Sequence, residues 1–204
     1  MQANDVAKIH FDSMGYVFQP EFQTIQRVEE INSNLDRFIS TIVPSLPAEQ
    51  VFYEDKADKN SLKQIQKLHE HDDFFAKLMT DGPFRELAET LLGTDVTCVN
   101  MQYFNKPPGI GMPTPAHQDG YYFKLAPCEA LTMWMALEPV DEENGCVRYI
   151  PQSHKRGMRA HGKTGTLGFS QGIVDYPREA DVKSEIGFPA SPGDLLAHHA
   201  LTIH

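Results

Sequence analysis

The sequence has no apolar stretch approaching the ~18–20 residues that a membrane-spanning helix needs, which argues against a membrane partner. Cysteine is scarce: Cys98, Cys128 and Cys146 are the only three, an odd number at irregular spacing. That pattern excludes a disulfide framework and predicts reduced thiols in a cytoplasmic protein. Positive charge is short as well. Eighteen Lys and Arg stand against 28 Asp and Glu, a net charge of −10, so no basic surface for nucleic acid or an anionic membrane is expected. The opening residues, Met1 to Lys8, lack the apolar core of a secretory leader. Repeats, low-complexity tracts and linkers are missing too. At 204 residues with 41% hydrophobic content, the chain is expected to form a single domain over 1–204 with a sizeable core.

What is present divides near residue 94. Apolar residues recur at helical spacing at Ile25, Val28, Ile31, Leu35, Phe38 and Ile42, predicting a helix over 22–43 that Pro44 and Pro47 end. Leu62, Ile65 and Leu68 predict a second helix over 61–79, and a third spans 84–92 before Gly93. Residues 95–104 are rich in β-branched and aromatic side chains. Residues 129–137 are an apolar run of strand length, 145–150 follow the turn signal Glu143-Asn144-Gly145, and 195–199 complete the set of predicted strands. The expectation is a mostly helical flank over 1–93 and a β core over 94–204. Short strands punctuated by Gly and Pro predict a barrel or double-sheet architecture, in which inward side chains from separate strands meet.

The chemistry-bearing pattern is His117 and Asp119. In an extended strand, residues i and i+2 share a face, so one imidazole and one carboxylate can meet one cation. Near the end of the sequence His198, His199 and His204 each offer a second imidazole, and spacing alone does not choose among them. Two histidines and a carboxylate form the facial triad that holds Fe(II) with positions left open for oxygen chemistry. The remaining histidines have plainer readings. His69 and His71 read as solvated helix residues, His154 as a turn-stabilising hydrogen bonder and His161 as an exposed loop residue.

Taken together, Asn105 to Pro108, His117 to Asp119, Trp134, Asn144 to Cys146, Ile150 to Lys155, Gly193 to Leu196 and His199 to His204 resemble the phytanoyl-CoA dioxygenase family of Fe(II)/2-oxoglutarate oxygenases. The match runs from Ser61 to the end, in family order. It implies a mainly β fold with flanking helices, built on a double-stranded β-helix (jelly-roll, cupin-like) core. It implies His117, Asp119 and His204 as the metal-binding and catalytic residues, and Lys63, Gln102 and Trp134 as the residues around 2-oxoglutarate. The implied cofactors are Fe(II), 2-oxoglutarate as co-substrate and O₂, with ascorbate as an auxiliary reductant. The implied reaction is hydroxylation of a small organic molecule with release of succinate and CO₂. Related halogenases replace the carboxylate by a small residue, so Asp119 points to hydroxylation.

Two departures stand out. Gln152 lies where the family usually has glycine. The family also places a co-substrate-binding arginine and a further strand after the distal histidine, and the sequence ends at His204. The chain is therefore expected to be C-terminally incomplete and to lack its last strand. His204 is expected to be loosely held, with a loop or a second copy (a homo-oligomer) covering the open sheet edge. The alternative is a catalytically silent β-helix protein that binds a small molecule.

Overall fold

A computed structural model describes residues 3–204, so the first two residues of the opening segment lie outside the described residues. Helix α1 (Ala3–Met14) leads through Gly15 into strand β1 (Tyr16–Gln19). Gly15 has φ +87°, and a Cβ there would lie 2.6 Å from Thr202 Oγ1, so the turn suits glycine alone. Helix α2 (Ile25–Thr41) is capped by Thr24, whose hydroxyl accepts from the Arg27 N–H at 3.2 Å. It buries Val28, Ile31, Leu35 and Phe38, the predicted apolar stripe.

Strands β2 (Val51–Tyr53) and β3 (Leu62–Ile65), helices α3 (Leu68–His71), α4 (Asp73–Thr80) and α5 (Pro83–Leu92), and strand β4 (Tyr103–Phe104) follow. Next come α6 (Gly120–Phe123), β5 (Leu131–Met135), β6 (Val147–Tyr149), β7 (His161–Thr166) and β8 (Phe169–Ile173). The order closes with α7 (Glu179–Ser184), β9 (Ile186–Phe188) and β10 (Leu195–His199). None of the helices is long and apolar enough to cross a membrane, among the described residues.

The structure departs from the predicted elements in three places. The segment expected to be one helix over 61–79 opens as β3, whose four residues are all buried and which pairs with β2 on one side and β4 on the other. Sheet pairing overrides the helical spacing there, and Lys67 in the left-handed region separates strand from helix. Strands β1, β2 and β3 thus lie within the stretch expected to be a helical flank. The strand expected over 95–104 shrinks to Tyr103–Phe104. Residues 155–182, which carried no motif, form the β7–β8 hairpin and the start of α7.

The architecture is a jelly roll with helices packed outside. One sheet has the order β1–β10–β5, a second β2–β3–β4, and the pairs β6–β9 and β7–β8 complete the core. Strand β10 is central, so both of its edges are paired, and packing covers both of its faces. Leu195 and Ala197 face outward onto Ala7, Phe11, Leu87 and Leu91 of α1 and α5. Leu196 faces inward among Tyr16, Tyr149, Trp134 and Phe188. By the same alternation His198 points into the interior, opposite Tyr16 of β1 and Thr132 of β5. A separate cluster packs Ile31, Leu35 and Phe38 of α2 against Leu62, Ile65 and Phe75.

Candidate metal centre

Two distant segments meet as a pair of opposed residues. The His117 N–H donates to the His204 carbonyl at 2.9 Å, and the His204 N–H donates to the His117 carbonyl at 3.1 Å. That double exchange is the hydrogen-bonded pair of an antiparallel ladder. It ties down His204, which was expected to be loosely held. The imidazole rings lie 4.2 Å apart.

Asp119 does not continue the strand geometry expected for it. Its backbone is helical (φ −57°, ψ −32°) and opens α6. The Gly120 N–H donates to the Ala200 carbonyl at 2.8 Å, and a Cβ on Gly120 would lie 3.2 Å from that oxygen. This close approach lets the chain turn and aim the Asp119 carboxylate back at the two histidines. Asp119 Oδ1 lies 3.3 Å from His117 Nε2 and 3.7 Å from His204 Nε2.

The other ring nitrogens are already engaged. His117 Nδ1 donates to the Pro115 carbonyl at 2.9 Å, and His204 Nδ1 to the Thr202 carbonyl at 3.1 Å. These bonds fix the tautomer that leaves each Nε2 lone pair free, the arrangement found around metal-binding histidines. Burial first, together with the imidazoles of His198 and His117, holds His204 well below the usual imidazole pKa despite Asp119. It is therefore neutral at pH 7, as a ligand must be. Burial opposes charge on Asp119, but the hydrogen bond that His198 donates to it helps hold its carboxyl well below the usual carboxylate range. Two imidazole nitrogens and one carboxylate oxygen, all within 4.8 Å of one another, suit a divalent cation. Adjacent donors about 2.1 Å from one metal lie about 3 Å apart, near the observed spacings.

Of the three residues expected around the co-substrate, Lys63 and Trp134 sit on strands β3 and β5, and Gln102 lies just ahead of β4. Lys63, on β3 and not on a helix, is buried, and its amine donates to Glu54 Oε1 at 2.7 Å. The anion that a buried lysine needs is thus supplied by the protein itself. Gln102, just before β4, accepts from the Gln64 amide at 2.7 Å. Trp134 lies two residues from Thr132 on β5 and shares its inner face. Aromatic rings flank His117: Phe169 at 5.1 Å, with Phe104 5.6 Å beyond it, and Tyr122 at 6.1 Å.

Sequence reasoning did not assign the roles that four residues take around the site. His198 donates from Nε2 to Asp119 Oδ2 at 3.1 Å, and the Thr132 hydroxyl donates to the same oxygen at 2.5 Å. Tyr149 donates to His198 Nδ1 at 2.8 Å. His161, expected in an exposed loop, is half-buried on β7 and stacks on Tyr121 at 4.4 Å. It accepts the Gln118 N–H at 3.1 Å. The one available signal was alternation along 195–199, which puts His198 and His199 on opposite faces. His154 Nε2 pairs with the Asp12 carbonyl of the distant helix α1 at 3.2 Å, not with a group of its own turn.

A jelly roll whose interior carries two histidines and a carboxylate with free ligand atoms is the architecture of the non-haem iron oxygenases. The family model described as phytanoyl-CoA dioxygenase (PhyH) matches residues 11–204, and the chain belongs to that family. Phytanoyl-CoA dioxygenase 1 of Oryza sativa subsp. japonica is 30% identical over 165 residues, covering 75% of this chain and 58% of the relative. The chain thus spans little more than half of that relative's length. Among solved structures, EctD from S. alaskensis with bound Fe superposes with a TM-score of 0.78 at 19% identity, over 100% of this chain and 70% of EctD. The epimerase SnoN in complex with Fe3+, alpha ketoglutarate and nogalamycin RO gives 0.70 at 22%, over 98% of this chain and 75% of SnoN. At these identities the likeness shows the fold.

Proposed function

We propose that the chain is an Fe(II)/2-oxoglutarate-dependent dioxygenase that hydroxylates a small organic molecule. The observation that carries this reading is the convergence of one ligand atom each from His117, His204 and Asp119, all within 4.8 Å of one another. Membership of the phytanoyl-CoA dioxygenase family supports it, as do neighbours of the same fold solved with iron and alpha ketoglutarate. Iron bound there, with 2-oxoglutarate and O₂, supplies oxidation of a C–H bond coupled to release of succinate and CO₂, with ascorbate as auxiliary reductant.

The protein's own residues do the rest. His117 and His204 give neutral nitrogens and Asp119 the one negative oxygen, which leaves coordination positions open. Lys63 gives one N–H to Glu54 and keeps further donors for a co-substrate carboxylate. The same reading assigns Gln102 and Trp134 to the surroundings of 2-oxoglutarate. Phe169, Phe104 and Tyr122 wall the side next to His117, exclude water and favour an organic substrate with apolar surface. A cytoplasmic location belongs to this reading, supported by three free thiols.

The test is succinate formation from 2-oxoglutarate with Fe(II) and ascorbate, run on the wild type and on Asp119→Ala. Turnover above background in the wild type alone is the expected result. No turnover in either, with Fe(II) shown to be bound, would favour the silent binding protein.

A further inference from the structure

The two oxygens of Asp119 have unequal surroundings. Oδ1 faces His117 and His204, at 3.3 and 3.7 Å. Oδ2 is turned away from them and accepts two hydrogen bonds, from the Thr132 hydroxyl at 2.5 Å and from His198 Nε2 at 3.1 Å. Thr132 and His198 are directly paired across β5 and β10, so one sheet register delivers both donors.

His198 is fixed from behind. The Tyr149 hydroxyl donates to its Nδ1 at 2.8 Å, which leaves the ring hydrogen on Nε2, aimed at Asp119. Tyr149 is fully buried, and its ring stacks on Tyr16 at 4.9 Å with 17° between planes. Tyr16 is itself opposite His198 on β1. Both nitrogens of His198 are therefore occupied, and neither has a lone pair for a cation.

A carboxylate ligates a metal through one oxygen or through both. Resting on the reading of His117, Asp119 and His204 as a metal centre, we propose that His198 and Thr132 clamp Oδ2 and restrict Asp119 to a one-oxygen ligand. His198, held by Tyr149, is then a positioning residue. By denying Oδ2 to the metal, the clamp preserves a coordination position for co-substrate or O₂.

Co(II) is the probe for the test, because its dissociation constant and its visible absorption, which reports coordination number, are read without turnover. His198→Phe keeps the ring and removes the donor. It is expected to weaken Co(II) binding 10–100-fold, the usual effect of losing a partner behind a ligand, and to change the Co(II) spectrum. His198→Gln, whose amide nitrogen reaches the Nε2 position, is expected to restore both. Thr132→Val is expected to act in the same direction, and it decides the matter if His198→Phe does not fold by circular dichroism. Wild-type affinity and spectrum in folded His198→Phe would overturn the clamp and leave the metal centre standing. A loss as large as that of Asp119→Ala, not restored by Gln, would make His198 a ligand and overturn it as well. A wild-type protein that binds no Co(II) would remove both the clamp and the reading beneath it.

Discussion

Gln118 Nε2 donates to the Leu201 carbonyl at 2.6 Å and so ties the segment between His117 and Asp119 to the approach to His204. The same amide donates to the Gly157 carbonyl at 3.0 Å, and its oxygen accepts the Arg159 N–H at 2.8 Å. Gln118 is fully buried, and its three side-chain bonds join stretches of chain far apart in sequence. Gln118→Leu fills the space but orphans two carbonyls and one N–H. At about 1–3 kcal/mol for each unsatisfied group, partly relieved by relaxation, the loss should be about 3 kcal/mol. For a chain of this size the thermal midpoint should fall by roughly 6–12 °C. An unchanged midpoint by calorimetry would mean that these bonds do not hold the segment.

Asp119→Ala removes the only anionic atom of the candidate metal centre. Fe(II) or Co(II) affinity, measured by isothermal titration, should fall by more than the roughly 10–100-fold that follows loss of an outer hydrogen bond. Equal affinity would exclude Asp119 as a ligand.

Glu54 and Lys63 form a buried ion pair, with 1% of the Lys63 side chain and 13% of that of Glu54 exposed. Glu54→Gln should therefore leave an uncompensated cation and cost about 3 kcal/mol. If Lys63 also meets 2-oxoglutarate, that dianion should raise the thermal midpoint more in Glu54→Gln than in the wild type, because it replaces the lost charge. The same ligand shift in both proteins would take Lys63 out of the co-substrate site.

Acidification should weaken the fold before any carboxylate titrates. Burial lowers the pKa of His154, His161 and His199 below the ordinary imidazole value of 6.5. The unfolded chain then takes up protons that the folded chain refuses. Stability is fully present above about pH 6.5 and is lost as pH falls from there toward the folded-state values. His161 gives a structural reason for its share: Nδ1 donates to the Arg159 carbonyl at 2.9 Å and Nε2 accepts from Gln118, so a second proton would oppose that N–H. Urea midpoints at pH 7.5 and 5.5 should differ in this direction. His161→Gln, which can still accept through its side-chain oxygen, should narrow the difference.

Several features were legible before any coordinates. The α2 stripe from Val28 to Phe38 and the Gly93 end of α5 depend on neighbours three or four residues away, and local patterns report such things directly. Family spacing picked out His117, Asp119 and His204, whose ligand atoms lie within 4.8 Å of one another. The β3 strand was not legible, because Leu62 to Ile65 read equally as one helical turn until β2 and β4 are present to pair with them.

By itself, then, the sequence determined the apolar helix faces, the turn residues and the supply of imidazoles and carboxylates. The tertiary structure alone decided that His198 turns a donating nitrogen to Asp119, which oxygen of Asp119 is left open, and that Glu54 neutralises Lys63. The reason is physical. Those choices follow from strand register and from contacts between segments 9 to 85 residues apart. A side chain's local pattern states its face, whereas the partner it finds there is set by how the sheets close.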